Sequence, residues 1–200
     1  MAAVIDHKSI NEAVFASRDY KVKTEKVARK YVEELLTRRK QALISELNRH
    51  SITKEIEMGV EAVNISKTLG GYGNLFSFIG FIDGDKPTEK LRILLESISY
   101  KTPKYDITSG SWIFNIELPN EKAIIDATPI PWQDGAGWAL EIEKGISGLG
   151  HYLNTKSIRS RSGGGLEVAN KVRVVSESSR MPYITPMLDD FRVNLTRMRG

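Results

Sequence analysis

The chain has 200 residues, of which 40% are hydrophobic and 27% are charged, with a formal net charge of +4. This composition supports a packed core and argues against a largely disordered chain. There is no cysteine, which excludes disulfides and thiolate metal sites, and no apolar run approaches the ~20 residues of a membrane-spanning helix.

The N-terminal part predicts one long helix. Residues 1–20 show little periodicity, so we expect an irregular N-terminal arm without the apolar segment of a secretory signal, and cytoplasmic synthesis. Val27, Tyr31 and Leu35 recur every four residues and predict a helix over 22–48. The other face of this helix is rich in Lys and Arg, which is most simply a solvated surface. Residues 49–74 are polar and rich in turn formers, and they predict a long loop.

The next stretch, 66–82, combines closely spaced glycines with the most aromatic run of the chain. The glycines are Gly70, Gly71 and Gly73, and the aromatic residues are Phe76, Phe78 and Phe81. A phosphate-binding loop places its glycines between a strand and a helix. We instead expect a strand over about 75–82 after these glycines. The pattern therefore favours a bent hairpin arm, with phenylalanines packed in the core or against a neighbouring subunit and no small ligand at the glycines.

The remaining patterns alternate between short helices, strands and loops. They predict a helix at 87–99, strands at 112–118, 138–143 and 166–174, loops at 121–137 and 145–165, and a helix at 184–195. Strands that follow one another without helices favour antiparallel pairing. We therefore expect a single α+β domain over 1–200. Its antiparallel sheet of about four strands would be covered by the long N-terminal helix, a short middle helix and a C-terminal helix.

No catalytic set can be assembled from the sequence. His7, His50 and His151 lack metal-ligand spacing, and no serine lies in a Gly-x-Ser-x-Gly motif. Glu141 and Glu143 would share one face of a strand, where a solvated surface explains them better than an acid–base pair. We predict no enzymatic activity, no metal and no cofactor.

Two groups of residues are candidates for contact with partners. The candidates for a subunit or partner interface are Leu69, Tyr72, Phe76, Phe78, Phe81, Trp132 and Trp138. Lys156, Arg159 and Arg161 lie in a Gly/Ser-rich segment and are candidates for contact with DNA in a channel. The alternative function is therefore a nucleic-acid-binding module that uses this basic loop and the basic face of the first helix.

Three segments resemble structural proteins of tailed bacteriophages. Residues 64–81, Asn-Ile-Ser-Lys-Thr-Leu-Gly-Gly-Tyr-Gly-Asn-Leu-Phe-Ser-Phe-Ile-Gly-Phe, look like a segment of these proteins. Residues 138–145, Trp-Ala-Leu-Glu-Ile-Glu-Lys-Gly, are similar to a strand of phage neck and tail-completion proteins. Residues 181–186, Met-Pro-Tyr-Ile-Thr-Pro, resemble the start of their last helix. With the leading amphipathic helix in the matching place, the resemblance covers roughly 22–198.

The resemblance implies a small α+β subunit that forms a homo-oligomeric ring at the head–tail joint, as a neck, tail-completion or tail-terminator protein. It implies connector, adaptor and tail-tube proteins as partners, a passing contact with DNA, no membrane, no catalysis, no cofactor, and a place in the virion. One departure stands at Lys67-Thr-Leu-Gly-Gly, where shorter family members carry an Arg-Thr-Gly-x-Leu turn. This departure leaves the branch of the family open.

Overall fold

The computed structural model describes residues 7–69, 73–144 and 181–196. The helices within these ranges are α1 (His7–Ala16), α2 (Arg18–Arg49), α3 (Ser51–Glu57), α4 (Leu75–Ile79), α5 (Pro87–Glu96), α6 (Glu121–Ala127), α7 (Trp138–Lys144) and α8 (Ile184–Thr196). The strands are β1 (Ser99–Tyr100), β2 (Lys104–Asp106), β3 (Ser111–Ile113), β4 (Ile116–Glu117), β5 (Pro129–Ile130) and β6 (Gln133–Gly137). Helices combined with antiparallel strand pairs confirm the α+β prediction at this coarse level.

The sheet prediction is wrong for the part of the chain that the structure describes. There, β1 pairs with β4, β2 with β3 and β5 with β6, so each sheet has two strands instead of about four. The strands are two to five residues long.

Two predicted strands are helices. Residues 75–79 form α4, because the Asn74 side chain accepts the Ser77 N–H at 2.9 Å and Gly80, at φ 92°, ends the helix in the left-handed region. Residues 138–144 form α7, in which Ala139 is as buried as Trp138. Periodicity alone cannot separate a short buried helix from a strand. The segment similar to a strand of phage neck proteins is therefore helical in this chain.

Three segments that were expected to be irregular contain regular structure. The predicted arm at 1–20 contains α1 and the start of α2, and the predicted loop at 49–74 contains α3 and a 3₁₀ turn at Gly59–Glu61. The predicted loop at 121–137 contains α6 and the β5–β6 hairpin. The predicted loop at 145–165 and strand at 166–174 lie outside the described residues. The three predicted helices are found as α2, α5 and α8.

Compact packing divides the chain into two units. Unit 1 comprises residues 1–41 and 98–118, and unit 2 comprises residues 42–97 and 119–200. Helix α2 contributes to both. The single domain over 1–200 therefore stays a prediction, because a shared helix is compatible with one domain or two.

Unit 1 consists of α1, the first part of α2 and a β-hairpin that aromatic side chains attach to these helices. The hairpin, 98–118, contains the β1–β4 and β2–β3 pairs in one antiparallel run. Trp112 Nε1 donates to Thr24 Oγ1 at 3.0 Å, and the Tyr100 hydroxyl donates to Glu33 Oε1 at 2.8 Å. Tyr105 donates to the Phe15 carbonyl at 2.9 Å. One indole N–H and two tyrosine hydroxyls thus attach the hairpin to the helices by hydrogen bonds.

Unit 2 is built around a buried aromatic cluster. The Trp138 ring lies 5.9 Å from the Tyr183 ring and 6.4 Å from the Phe81 ring, and Phe81 in turn contacts Phe76 at 5.4 Å between centroids. The Tyr183 hydroxyl shares a 2.8 Å hydrogen bond with Thr53 Oγ1. Burial raises the pKa of Tyr183 far above its ordinary value, so this hydroxyl stays neutral within the core. The cluster joins α3, α4, α7 and the start of α8.

Candidate functional surfaces

The segment between α3 and α4 is held in place by one buried carboxylate, that of Glu55. Its Oε2 accepts the Ser66 N–H at 2.7 Å, and its Oε1 accepts the Leu75 N–H at 2.8 Å and the Asn64 side chain at 3.2 Å. Glu55 has no exposed surface. A buried charge needs several donors to offset its lost hydration, and three donors converge here. The segment is thereby fixed from its buried side.

A second contact fixes the same segment further along. The side-chain amide of Asn74 donates to the Val60 carbonyl at 3.1 Å while its oxygen caps α4. Asn74 is buried as well. Within residues 58–65, polar side chains beneath the segment therefore hold the Val60 carbonyl and the Asn64 amide. Ala62 is buried, and the large apolar side chains are left exposed.

Those apolar side chains point outward. Four large ones are between 40% and 66% exposed within eight residues, and we call them the 58–65 surface: Met58, Val60, Val63 and Ile65. Scattered exposed apolar residues are ordinary on a protein surface, whereas a contiguous group often marks an interaction site. Because the backbone is fixed from below, this surface is already formed in the single chain and is suited to contact with another molecule.

Unit 1 has little core of its own. Among its residues with a described burial, the buried apolar side chains are Leu36, Ile98 and Pro103. Seven large apolar side chains of this unit are exposed instead: Ile10, Val14, Val22, Val27, Tyr31, Ile107 and Ile113. Burial of apolar area is the main favourable term in folding, so a unit with this balance gains stability from surfaces that cover it.

The two units differ in charge, which the net value of +4 conceals. Over the full sequence, unit 1 carries 12 basic and 8 acidic side chains, and unit 2 carries 17 of each. Helix α2 accounts for the basic excess, with ten basic and five acidic residues. The positive potential is thus concentrated on unit 1.

The interface candidates that the structure describes form a buried group and a half-buried group. Phe76 is 2% exposed and Trp138 is fully buried, so both belong to the core of unit 2. Phe78, Phe81, Trp132 and Leu69 are half-buried, and Trp132 Nε1 donates to the Ile79 carbonyl at 2.7 Å. A contact of these four with a partner stays a prediction. Tyr72 lies outside the described residues.

The other candidate sites give no assembled chemistry. Lys156, Arg159, Arg161 and His151 lie outside the described residues, as do Gly70 and Gly71. No group of three His, Asp or Glu side chains that could hold a metal ion is found within 7–69, 73–144 and 181–196. None of the helices described there is long and apolar enough to cross a membrane.

Sequence reasoning missed the roles of two glutamates. Glu143 lies on α7 rather than on a solvated strand, and it accepts the Tyr183 N–H at 3.1 Å, the Thr185 N–H at 2.7 Å and the Thr185 hydroxyl at 2.6 Å. Glu55 lies between Ile52 and Ile56, both fully buried. The position of Glu55 on the apolar side of its helix could have revealed its role. An acid at such a position is expected to be buried and to need hydrogen-bond donors.

Comparisons with known proteins find no counterpart: no protein-family model, no curated protein and no solved structure matches this chain.

Proposed function

We propose that this chain is a structural subunit of a ring-shaped neck or tail-completion complex between the head connector and the tail of a bacteriophage. The 58–65 surface is the observation that supports assembly into a ring. Its apolar side chains are exposed on a backbone that Glu55 and Asn74 hold in place. The three resembling segments, at 64–81, 138–145 and 181–186, support the phage part.

A neighbouring copy is the partner that we propose for this surface. Ring subunits meet through two different patches, one on each neighbour, and the ring closes when the rotation between copies divides a full turn. Exposed apolar side chains of the hairpin in unit 1, Ile107 and Ile113, supply further surface that an assembly would cover. A role in the virion requires no catalytic residues, and the protein is accordingly not proposed to be an enzyme.

Mass photometry and negative-stain imaging of the full chain test the ring. A closed oligomer of uniform size is expected, and the double variant Met58→Asp/Val63→Asp should shift it to monomers, since two charges would be buried in the contact. Ile82→Asp is the matched control, because Ile82 is 71% exposed but lies outside the 58–65 surface. A protein that is monomeric at every concentration would contradict the ring.

Co-expression with proteins encoded by neighbouring genes tests whether the ring belongs to the head–tail joint. A connector, adaptor or tail-tube protein should co-purify with this chain in fixed stoichiometry. If rings form but no such protein assembles with them, the chain is a ring subunit of another system and the head–tail assignment fails.

A further inference from the structure

Some charged side chains of helix α2 have partners within unit 1, and others have none among the described residues. Glu25 pairs with Arg29 at 2.6 Å, and the Lys21 ammonium lies 5.2 Å from the centre of the Tyr105 ring. Glu33 accepts the Tyr100 hydroxyl, so its charge is directed to the hairpin. These contacts hold unit 1 together and remove two acids of the helix from its outer side.

Three lysines remain on that outer side. Lys23, Lys26 and Lys30 are exposed, and their ammonium groups make no ion pair or hydrogen bond with a described residue. Their spacing of three and four residues places them on one helix face, along about 10 Å of axis. We call this set the lysine face. Like charges this close repel one another, and a polyanionic ligand would relieve that repulsion.

Apolar side chains lie beside the lysine face. Val27 is 70% exposed and Tyr31 is 59% exposed. An exposed aromatic ring next to cations is the combination that holds single-stranded nucleic acid, with phosphates on the lysines and a base stacked on the ring. Asp19, one turn before the first of these lysines, and Glu34, one turn after the last, are exposed acids on the same side of the helix and limit the face at its two ends. The face carries no Asn, Gln or Arg, the side chains that read base edges most often, so binding would not depend on sequence.

We infer that the lysine face of α2, together with Tyr31, binds the backbone of single-stranded nucleic acid without sequence preference. This inference is independent of the ring proposal. It places the contact within the described helix, whereas the loop with Lys156, Arg159 and Arg161 lies outside the described residues. Unit 2 has no net charge over the full sequence, so the net positive charge that attracts a polyanion lies on unit 1.

Fluorescence anisotropy with a labelled 20-nucleotide single strand tests the inference. Three lysine–phosphate contacts predict that log K falls with log salt with a slope of about −2 from this face, or roughly twenty-fold between 50 and 200 mM salt. Lys23→Gln/Lys26→Gln/Lys30→Gln should make the slope shallower by about 2 units. Glutamine retains helix propensity, so the fold should persist, as circular dichroism can verify. Tyr31→Leu should weaken binding about ten-fold while leaving the salt slope unchanged.

The control variant removes three positive charges from unit 2 instead of unit 1. Lys86→Gln/Lys90→Gln/Lys122→Gln changes three exposed lysines of unit 2 and should leave the binding and its salt slope as in the wild type. Absence of binding at low salt, or equal slopes for the two triple variants, would overturn the inference. So would competition by poly-glutamate as effective as that of the unlabelled strand, which would assign the face to an acidic protein.

Discussion

The carboxylate of Glu55 accepts the backbone N–H of Leu75, twenty residues away, at 2.8 Å inside unit 2. Leu75 begins α4, and the first N–H groups of a helix have no partner within the helix. The other oxygen of the carboxylate accepts the Ser66 N–H. One buried side chain therefore holds Ser66, directly after the 58–65 surface, and the first residue of α4.

Glu55→Gln should destabilise unit 2 by about 2–4 kcal/mol. The amide offers one oxygen acceptor where two are used, and its NH₂ group would face a backbone N–H that is then buried without a partner. Urea unfolding followed by tryptophan fluorescence measures the loss. Glu61→Gln is the control, since Glu61 is exposed, and should change stability by no more than about 0.5 kcal/mol. Equal midpoints for the two variants would contradict the role assigned to Glu55.

The sequence predicted the long helices well and the short elements poorly. The repeated apolar positions Val27, Tyr31 and Leu35 predicted helix α2. However, Val27 and Tyr31 are exposed and Leu35 is half-buried, and the buried face is formed by Leu36, Leu43 and Leu47. Helices α4 and α7 have five and seven residues, too few for a helical period to show. Asn74 and Gly80 were the usable signals for α4, as a cap and a stop.

The candidate surfaces could be predicted only in part. A contact such as Glu55 with Ser66 and Leu75 depends on how the chain returns on itself, which local propensity does not encode. The concentration of charge on α2 was present in the sequence, but its assignment to one compact unit required the fold. The exposure of Met58 and Val63 likewise depends on the buried contacts that position their backbone.

Stability of unit 2 should fall between pH 7.5 and 6.0 because of His50. This side chain caps α3: its Nδ1 accepts the Ile52 N–H at 3.3 Å. Burial lowers the pKa of His50 below its ordinary value of 6.5, while the Pro182 carbonyl and Glu46 act in the opposite direction. As the pH falls through 6.5, the unfolded chain binds a proton that the folded chain resists, so stability present above 6.5 is progressively lost.

Chemical denaturation at a series of pH values measures this dependence. His50→Asn retains a side-chain acceptor for the cap and cannot titrate, so its stability should be nearly constant over the same range. His7→Asn should retain the slope of the wild type. A slope that persists in His50→Asn would show that another group is responsible.

Gly110→Ala should loosen the tip of the β-hairpin in unit 1. Gly110 has φ 64°, and an added Cβ would lie 2.8 Å from Cδ1 of the Phe15 ring. The left-handed backbone costs an alanine about 1 kcal/mol, and the contact with the ring adds about 1 kcal/mol or more. Hydrogen exchange of peptides from 98–118 should become faster.

A second substitution separates the contact with the Phe15 ring from the backbone strain. Phe15→Leu in the Gly110→Ala background should recover part of the protection, because the smaller side chain relieves the contact but not the backbone strain. Gly84→Ala, at φ 90° with open space around the added Cβ, should show the cost of strain alone. No recovery with Phe15→Leu would place the whole effect in the backbone.

Glu143→Ala should destabilise the chain more than Glu141→Ala, although the two acids are two residues apart. The Glu143 carboxylate accepts the N–H groups of Tyr183 and Thr185 and the Thr185 hydroxyl, and it thus ties α7 to the start of α8. Glu141 pairs only with Lys144, at 3.0 Å and on the surface, among the described residues. Exposed ion pairs contribute little, whereas loss of a charged acceptor leaves helix N–H groups without a partner.

We expect a loss of about 1–3 kcal/mol for Glu143→Ala and less than about 0.5 kcal/mol for Glu141→Ala in urea unfolding. Thr185→Val removes one of the three donors and should cost an intermediate amount. The double variant Glu143→Ala/Thr185→Val should then lose less than the sum of the single losses, because the two side chains share one hydrogen bond. Strict additivity would contradict the hydrogen bond between the Glu143 carboxylate and the Thr185 hydroxyl.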